Sequence, residues 1–273
     1  MRANVGGIEI GYDSAGAGDT TLVLLHAFPL NRMQWERQAQ SLAQVEGVRV
    51  VAPDLRGFGE SSLEVGPTTV EQMAGDVLGL LDALGIEAFA LGGLSMGGYV
   101  AFQIYRREPE RLRGLILADT RATADSAEAR QGRETTAIYV EEHGVPALFD
   151  RDVPRLFSHV TQASRPDIIE QGRRIAALNT PIGVAAASRG LGLRPDVTDL
   201  LPEIVCPALI IVGEQDELTP VADARTLFER IPDAQLEVIA DGGHLSNLEQ
   251  PDLFSELVAR FLQERVQGKP EAS

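Results

Sequence analysis

The sequence predicts an α/β protein in which a helical insertion interrupts a mostly parallel sheet. From about residue 20 to 120, apolar runs of strand length such as "TTLVLLH" alternate with amphipathic stretches such as "TTVEQMAGDVLGLLDALG". Continuous apolar runs are typical of strands buried on both faces, and their alternation with helices predicts a parallel sheet with helices on both faces. Strand-like runs are absent between 121 and 200, and they return in "CPALIIVGEQD" and "AQLEVIADGG".

The part of the chain before residue 120 supplies six of the eight predicted strands. "NVGGIEIGYDSAG" predicts two short strands around the turn Gly6–Gly7, and "TTLVLLHAFP" a third that ends at Pro29. "NRMQWERQAQSLAQ" has helical spacing with Asn31 as its N-cap, and "VRVVAP" is a fourth strand. A helix ended by Gly85 follows, and then "EAFALGGLS", "GGYVAFQIYRREPERL" and "RGLILADT" predict a strand, a helix and a strand.

Residues 121–200 are the predicted insertion. They are polar and helical in pattern, and five prolines are expected to divide them into short helices: Pro146, Pro154, Pro166, Pro181 and Pro195. We therefore predict one core domain formed by 1–120 and 201–268, and a helical cap formed by 121–200 over one edge of the sheet. The end of the chain, "QGKPEAS", is expected to be frayed.

Composition restricts the partners and the compartment. The formal net charge of −16 disfavours nucleic acid, because an acidic surface repels phosphate. No apolar stretch approaches the roughly 20 residues that span a bilayer, and the first residues lack the pattern of a signal peptide. The single cysteine, Cys206, cannot form an internal disulfide and is expected to be a buried, inert thiol. These observations predict a cytoplasmic protein with no membrane partner.

The motif "GGLSMGG" is the first candidate for chemistry. It lies between a predicted strand and a predicted helix, so Ser95 would stand on a tight turn above the carboxyl end of the strand. Such a turn strains the backbone, and small neighbours at Gly93 and Gly97 allow the helix to pass close to the strand. A serine hydroxyl in this position is a candidate nucleophile if the chain supplies a base and an acid.

Four histidines compete for the role of base. His143 and His159 lie among polar residues of the insertion and are expected on the surface. His26 ends a buried strand and is expected to brace the loop after it. His244 follows the last predicted strand in "ADGGHLSN", where Gly242 and Gly243 are expected to make the loop mobile enough to bring the imidazole over the sheet, so we predict His244 as the base.

The base needs an acid that fixes its tautomer. Asp216 follows the strand "ALIIVG" at the carboxyl edge of the sheet, with Glu214 and Glu217 beside it, and it is the predicted acid. Asp119 also ends a strand and is the alternative. With Asp216, the chain order is serine, acid, histidine.

The developing oxyanion needs two backbone donors. We predict the amide of Met96, which follows the serine, and the amide of Phe28 in the loop "HAFPL". Ala27, Trp35 and Leu218 are candidate pocket residues. Neither metal-ligand spacing nor a phosphate-binding glycine loop occurs in the sequence, so no metal and no cofactor is expected.

Five motifs in order resemble the α/β-hydrolase superfamily: "LLHAFPL", "VAPDLRGFGESS", "GGLSMGGYVA", "LIIVGEQDELTP" and "GGHLSNLEQP". One departure is Ala27, where the family usually has glycine. Within the superfamily the chain is similar to small capped esterases and lactonases, including 3-oxoadipate enol-lactonases. In "DLRGFGESS", Asp54, Arg56 and Ser61 are interpreted as side chains that brace the loop.

The resemblance implies a serine hydrolase that cleaves small esters or lactones through an acyl-enzyme on Ser95. An enol-lactonase of aromatic catabolism is an alternative, and its dicarboxylate-derived substrate would need cationic groups such as Arg121 and Arg189. Two further alternatives are a perhydrolase and a non-catalytic ligand receptor on the same fold. The sequence leaves the physiological substrate, the acyl-chain preference and the oligomeric state open.

Overall fold

One mixed sheet forms the centre of the structure, a computed structural model that describes residues 1–267. Its eight strands are β1 (Arg2–Val5), β2 (Ile8–Gly16), β3 (Thr20–Leu25), β4 (Val48–Pro53), β5 (Phe89–Leu94), β6 (Leu112–Ala118), β7 (Ala208–Gly213) and β8 (Ala234–Ile239). They lie in the order β1-β2-β4-β3-β5-β6-β7-β8. The β1–β2 and β2–β4 pairs are antiparallel, and every other pair is parallel. The predicted mostly parallel eight-stranded sheet is confirmed.

The central strands are buried on both faces. Every residue of β5 and β7 is buried, and so is all of β3 except its first residue. Apolar strands of this kind need a helical layer on each side. The sequence contains continuous apolar runs at these places for that reason.

Eleven α-helices are described, and they agree with the predicted alternation. They are α1 (Glu36–Leu42), α2 (Val70–Ala83), α3 (Met96–Arg107), α4 (Ala127–His143), α5 (Val145–Leu156), α6 (His159–Ser164), α7 (Pro166–Ala176), α8 (Pro181–Leu191), α9 (Val221–Arg230), α10 (Ser246–Glu249) and α11 (Pro251–Phe261). Helix α1 packs on α11, and α2 packs on α3. Helix α3 also contacts β3, β5 and β6, which brings its first turn to the carboxyl edge of the sheet.

Two helix ends show how local sequence sets the boundaries. Thr69 and Gln72 form a capping box at the start of α2, and Gly85, with φ +66°, follows its end as predicted. Asn31 is also a cap, but it caps a short 3₁₀ helix, Arg32–Trp35, and α1 begins only at Glu36. The single helix predicted from "NRMQWERQAQSLAQ" is therefore two short pieces.

Five of the helices, α4 to α8, lie between β6 and β7, in the predicted insertion. Pro146, Pro166 and Pro181 stand in the first turns of α5, α7 and α8, where proline costs no helical hydrogen bond. Pro154 lies inside α5 and does not divide the segment, contrary to the prediction. The boundaries 121 and 200 of a separate cap stay a prediction.

Residues 268–273 lie outside the described part of the chain. They include the last residue of the predicted core segment and six of the seven residues expected to fray. Within residues 1–267, no helix combines the length and the apolar character needed to cross a membrane.

Candidate active site

Ser95 stands on a strained turn between β5 and α3. Its backbone has φ +53°, a value that non-glycine residues rarely adopt. A Cβ atom on Gly93 would overlap the carbonyl of Gly97, and one on Gly97 would overlap the carbonyl oxygen of Leu25. Both glycines are therefore required by close backbone approach. The turn exposes part of Ser95 at the carboxyl edge of the sheet.

Ser95, His244 and Asp216 form one chain of hydrogen bonds. The Ser95 Oγ lies 2.8 Å from His244 Nε2, and His244 Nδ1 lies 2.9 Å from Asp216 Oδ2. His244 is 2% exposed and Asp216 4%. An ionised carboxylate beside Nδ1 favours the tautomer with its proton on that nitrogen, in which Nε2 is an acceptor. The three side chains are therefore arranged as expected for the predicted nucleophile, base and acid.

The loop after β7 fixes the carboxylate of Asp216. Its Oδ1 accepts the backbone N–H groups of Leu218 and Thr219 at 2.8 and 3.0 Å. Its Oδ2 accepts the Thr219 hydroxyl at 2.6 Å in addition to His244. Burial alone would raise the pKa of Asp216, but His244 and these hydrogen bonds outweigh it, so its pKa lies below the ordinary value. Asp216 is therefore ionised at neutral pH.

Asp119, the alternative acid, contacts other groups. Its Oδ1 accepts the N–H of Gly213 at 2.8 Å, and its Oδ2 pairs with the hydroxyl of Ser246. Burial raises the pKa of Asp119 well above its ordinary value, and the neighbouring Asp216 adds to the shift. Of the two strand-end aspartates, the one that contacts the imidazole is Asp216.

The loop that carries His244 is tied to the insertion. Glu249, 2% exposed, accepts the N–H of Gly243 at 2.6 Å and the N–H and hydroxyl of Ser158 at 2.9 and 2.7 Å. A Cβ atom on Gly243 would overlap the Ser158 backbone nitrogen. The glycine therefore permits close approach of the insertion, and the loop is held rather than loose, contrary to the sequence-based expectation.

The two predicted oxyanion donors stand at the start of α3 and in the loop after β3. Met96 is the first residue of α3, and the N–H groups of a first helical turn have no partner within the helix. In the loop after β3, Ala27 N–H donates to Gln34 Oε1 and Leu30 N–H to the Ala27 carbonyl. Among the hydrogen bonds of residues 1–267, none uses the Phe28 N–H. The role of both amides stays a prediction.

A polar network that sequence reasoning missed joins the oxyanion loop to the histidine loop. Gln34 accepts from Ala27 N–H and donates through Nε2 to Asn247 Oδ1 at 3.1 Å. Asn247 Nδ2 returns hydrogen bonds to the Gln34 carbonyl and to Gln38 Oε1. These residues stand in "MQWERQ" and "HLSNLE", where nothing in the pattern separates them from surface polar residues. Only the fold brings them together.

His26 braces the loop after β3 as predicted. Its Nε2 accepts the N–H of Leu55 and its Nδ1 lies 3.0 Å from the carbonyl of Ala27. Burial lowers the pKa of His26 to about 4, so the ring is neutral at neutral pH. His143 and His159 are exposed, as expected.

The loop after β4 is held by its own side chains, as interpreted from the sequence. Asp54 pairs with Arg32 and accepts the N–H of Glu60, and Ser61 Oγ donates to the Asp54 carbonyl. Arg56 binds both oxygens of a buried aspartate, Asp76. These charges are neutralised within the fold.

The three candidate pocket residues differ in exposure. Ala27 is 0% and Trp35 1% exposed, and the Trp35 ring packs 5.8 Å from that of Phe254 in the core. Leu218 is half-buried beside Asp216. A lining role for these residues stays a prediction, with Leu218 the most accessible of the three.

The family model described as alpha/beta hydrolase fold matches residues 20–251. The chain belongs to the α/β-hydrolase family. The sequence of this α/β hydrolase is 32% identical over 252 residues to 3-oxoadipate enol-lactonase 2 of Acinetobacter baylyi, with 92% of each chain covered.

Two solved structures share the fold over nearly the whole chain. A thermophilic esterase from Thermogutta terrifontis has a TM-score of 0.93 and 40% identity, and the match covers 98% of this chain and 100% of that one. The enol-lactonase from Burkholderia xenovorans has a TM-score of 0.89 and 31% identity, with 97% and 100% covered. The α/β hydrolase described here thus has both esterases and enol-lactonases among its relatives.

Proposed function

We propose that this α/β hydrolase cleaves uncharged carboxylic esters or lactones of small molecules through an acyl-enzyme on Ser95. The observation that carries the proposal is the continuous hydrogen-bond chain from Ser95 through His244 to Asp216. A buried chain of this kind activates a hydroxyl that is otherwise a weak nucleophile. The esterase and enol-lactonase relatives support the same reaction class.

The mechanism follows from the contacts. His244 Nε2 takes the Ser95 proton while Oγ attacks the carbonyl carbon, and the oxyanion accepts hydrogen bonds from the Phe28 and Met96 amides. Each such donor is worth about 3 kcal/mol of the barrier. The imidazolium, stabilised by Asp216, protonates the leaving alkoxide. Water then attacks the acyl-enzyme with the same imidazole as base, which releases the acid and restores Ser95.

The ion pairs of two candidate substrate-binding arginines favour an uncharged substrate. Arg189 is bound by Glu134 at 3.1 Å and by Glu141 at 2.6 Å, both on α4. Arg121 lies 3.7 Å from the carboxylate of Asp223. The two arginines named as candidate partners of a dicarboxylate-derived lactone thus each lie near a carboxylate, although the buried Nε of Arg121 has no hydrogen-bond partner within residues 1–267. Enol-lactone hydrolysis, which the Acinetobacter relative supports, is the second candidate.

Hydrolysis of p-nitrophenyl acetate and butyrate tests the proposal. We expect measurable kcat for the wild type and a loss of at least about three orders of magnitude for Ser95→Ala. Ser164→Ala, an exposed serine on α6, is the matched control and is expected to keep wild-type activity. Equal rates in the wild type and Ser95→Ala would contradict the proposal.

A substrate panel separates the alternatives. A neutral γ-lactone, an enol-lactone bearing a carboxylate, and acetate with hydrogen peroxide are compared by kcat/KM. We expect the neutral esters and lactone to exceed the carboxylate-bearing enol-lactone by at least about tenfold, because its candidate cationic partners, Arg121 and Arg189, already lie beside carboxylates. The reverse order would assign the enol-lactonase activity, and peracid formation above hydrolysis would assign a perhydrolase. Binding without turnover of any member would indicate a receptor.

A further inference from the structure

The end of β6 contacts all three loops that carry the candidate catalytic residues. Asp119 follows β6 with φ +44° and is 0% exposed. Its carboxyl accepts the N–H of Gly213, three residues before Asp216, and pairs with the hydroxyl of Ser246, two residues after His244. One buried side chain therefore joins the acid loop to the histidine loop.

The neighbouring residues of Asp119 hold the nucleophile. Ser95 N–H donates to the carbonyl of Ala118 at 2.9 Å. Thr120 Oγ1 donates to the carbonyl of Ser95, also at 2.9 Å. Ala118 and Thr120 thus bind the backbone of Ser95, and the side chain of Asp119 between them binds the loops that carry Asp216 and His244.

We propose that Asp119 is a positioning residue for hydrolysis, which holds His244 and Asp216 in register with Ser95 through its contacts with Ser246 and Gly213. The proposal rests on the proposed function, because it assumes that these three residues perform the reaction. A backbone strained at a non-glycine residue supports it, since such strain persists only where surrounding contacts fix the residue.

The surroundings of the carboxyl favour its neutral form. Two charged groups that act on it, Asp216 on the acid loop and Glu249 on α10, are both carboxylates. Burial and Asp216 raise the pKa of Asp119 well above its ordinary range. In the structure, Asp119 Oδ1 accepts the N–H of Gly213 and Oδ2 accepts the hydroxyl of Ser246. A hydroxyl also accepts after it rotates, so a protonated Oδ2 donates to Ser246 Oγ across the same contact.

The neutral form makes the conservative substitution informative. In Asp119→Asn, the amide oxygen accepts from Gly213 and the amide NH₂ donates to Ser246, so the same two contacts form. In Asp119→Ala, the buried Gly213 N–H and the Ser246 hydroxyl lose their partner. We therefore expect the alanine variant to disturb both loops and the asparagine variant to retain them.

The test compares Asp119→Asn, Asp119→Ala and Ser246→Ala with p-nitrophenyl butyrate as substrate. We expect Asp119→Ala to lower kcat by about 10- to 100-fold with little change in KM, a loss typical of a misplaced catalytic group. Ser246→Ala should lower kcat in the same direction, and Asp119→Asn should restore at least about a third of the wild-type value. Asp76→Asn, in a buried contact with Arg56, is the control for a purely structural role, and its folded fraction should keep wild-type kcat.

Three results would overturn the proposal: wild-type kcat in Asp119→Ala, an Asp119→Asn variant as slow as Asp119→Ala, or a loss of kcat that matches the loss of folded protein in thermal unfolding. If Asp119→Ala does not fold, the kcat of Ser246→Ala takes its place, and a wild-type value would overturn the proposal. An infrared band of a protonated carboxyl, present in the wild type at neutral pH and absent in Asp119→Asn, needs no substrate. Its absence from the wild type would contradict the neutral contact even if Ser95 proved not to be the nucleophile.

Discussion

Replacing Asp216 by asparagine tests the orientation of the imidazole directly. Two backbone N–H groups, from Leu218 and Thr219, bind Asp216 Oδ1. An asparagine would keep its carbonyl oxygen there, so its NH₂ group would take the place of Oδ2 and face His244 Nδ1. The imidazole would then accept at Nδ1 and carry its proton on Nε2, which lies 2.8 Å from Ser95 Oγ. A ring in this tautomer cannot take the serine proton.

The expected loss follows from that tautomer. A wrong imidazole tautomer lowers kcat by about 10⁴, or about 5 kcal/mol of barrier, while the side chain keeps its size and its backbone contacts. We therefore expect Asp216→Asn to lose about four orders of magnitude in kcat on p-nitrophenyl acetate with a nearly unchanged unfolding midpoint. Glu217→Gln, an exposed neighbour, is the matched control with wild-type kcat. An Asp216→Asn variant within tenfold of the wild type would refute the reasoning.

Three further predictions concern stability, measured by chemical denaturation. Gly97→Ala should lower the free energy of unfolding by about 3 kcal/mol because its Cβ overlaps the Leu25 carbonyl. Gly132→Ala, with open space on α4, should raise it by about 0.5–1 kcal/mol, and similar effects of both changes would contradict the overlap argument. Burial lowers the pKa of His26 from 6.5 to about 4, so only the unfolded chain takes up this proton as pH falls through that window. Between pH 6.5 and 4, the free energy of unfolding should therefore fall by about 3 kcal/mol more in the wild type than in His26→Gln. The same pH dependence in both proteins would contradict this prediction. Glu249→Ala leaves three buried donors unpaired and should lower the free energy of unfolding by about 2–4 kcal/mol. The exposed control Glu256→Ala should change it by less than about 0.5 kcal/mol, and equal effects of the two changes would be inconsistent with the buried contact.

The features that the sequence predicted correctly depend on local patterns. Continuous apolar runs identify the buried strands, and their alternation with amphipathic stretches predicts the sheet. The positions of Ser95, Asp216 and His244 at strand ends follow from the same patterns, because the carboxyl ends of parallel strands share one edge. The Ser95–His244 and His244–Asp216 side chains lie within hydrogen-bond distance, while their catalytic roles stay predictions.

Other features depend on contacts between distant segments, which one sequence does not display. The Gln34–Asn247 pair spans 213 positions, and the Ser158–Glu249 contact spans 91. A pattern of polar residues is the same whether they face solvent or a buried partner. The glycine before His244 likewise suggested a loose loop, whereas its lack of a side chain admits the Ser158 backbone. The sequence pattern shows where polar residues and glycines occur, and the packed structure shows which contacts require them.

Labelling with an alkyl fluorophosphonate identifies the nucleophile most directly, because the phosphonyl adduct of an activated serine resists hydrolysis. After digestion, mass spectrometry locates the modified peptide. The proposed mechanism predicts one phosphonyl group on Ser95 in the wild type and slow or absent labelling in His244→Ala. Labelling at another residue, or equal labelling of Ser95 in both proteins, would contradict it.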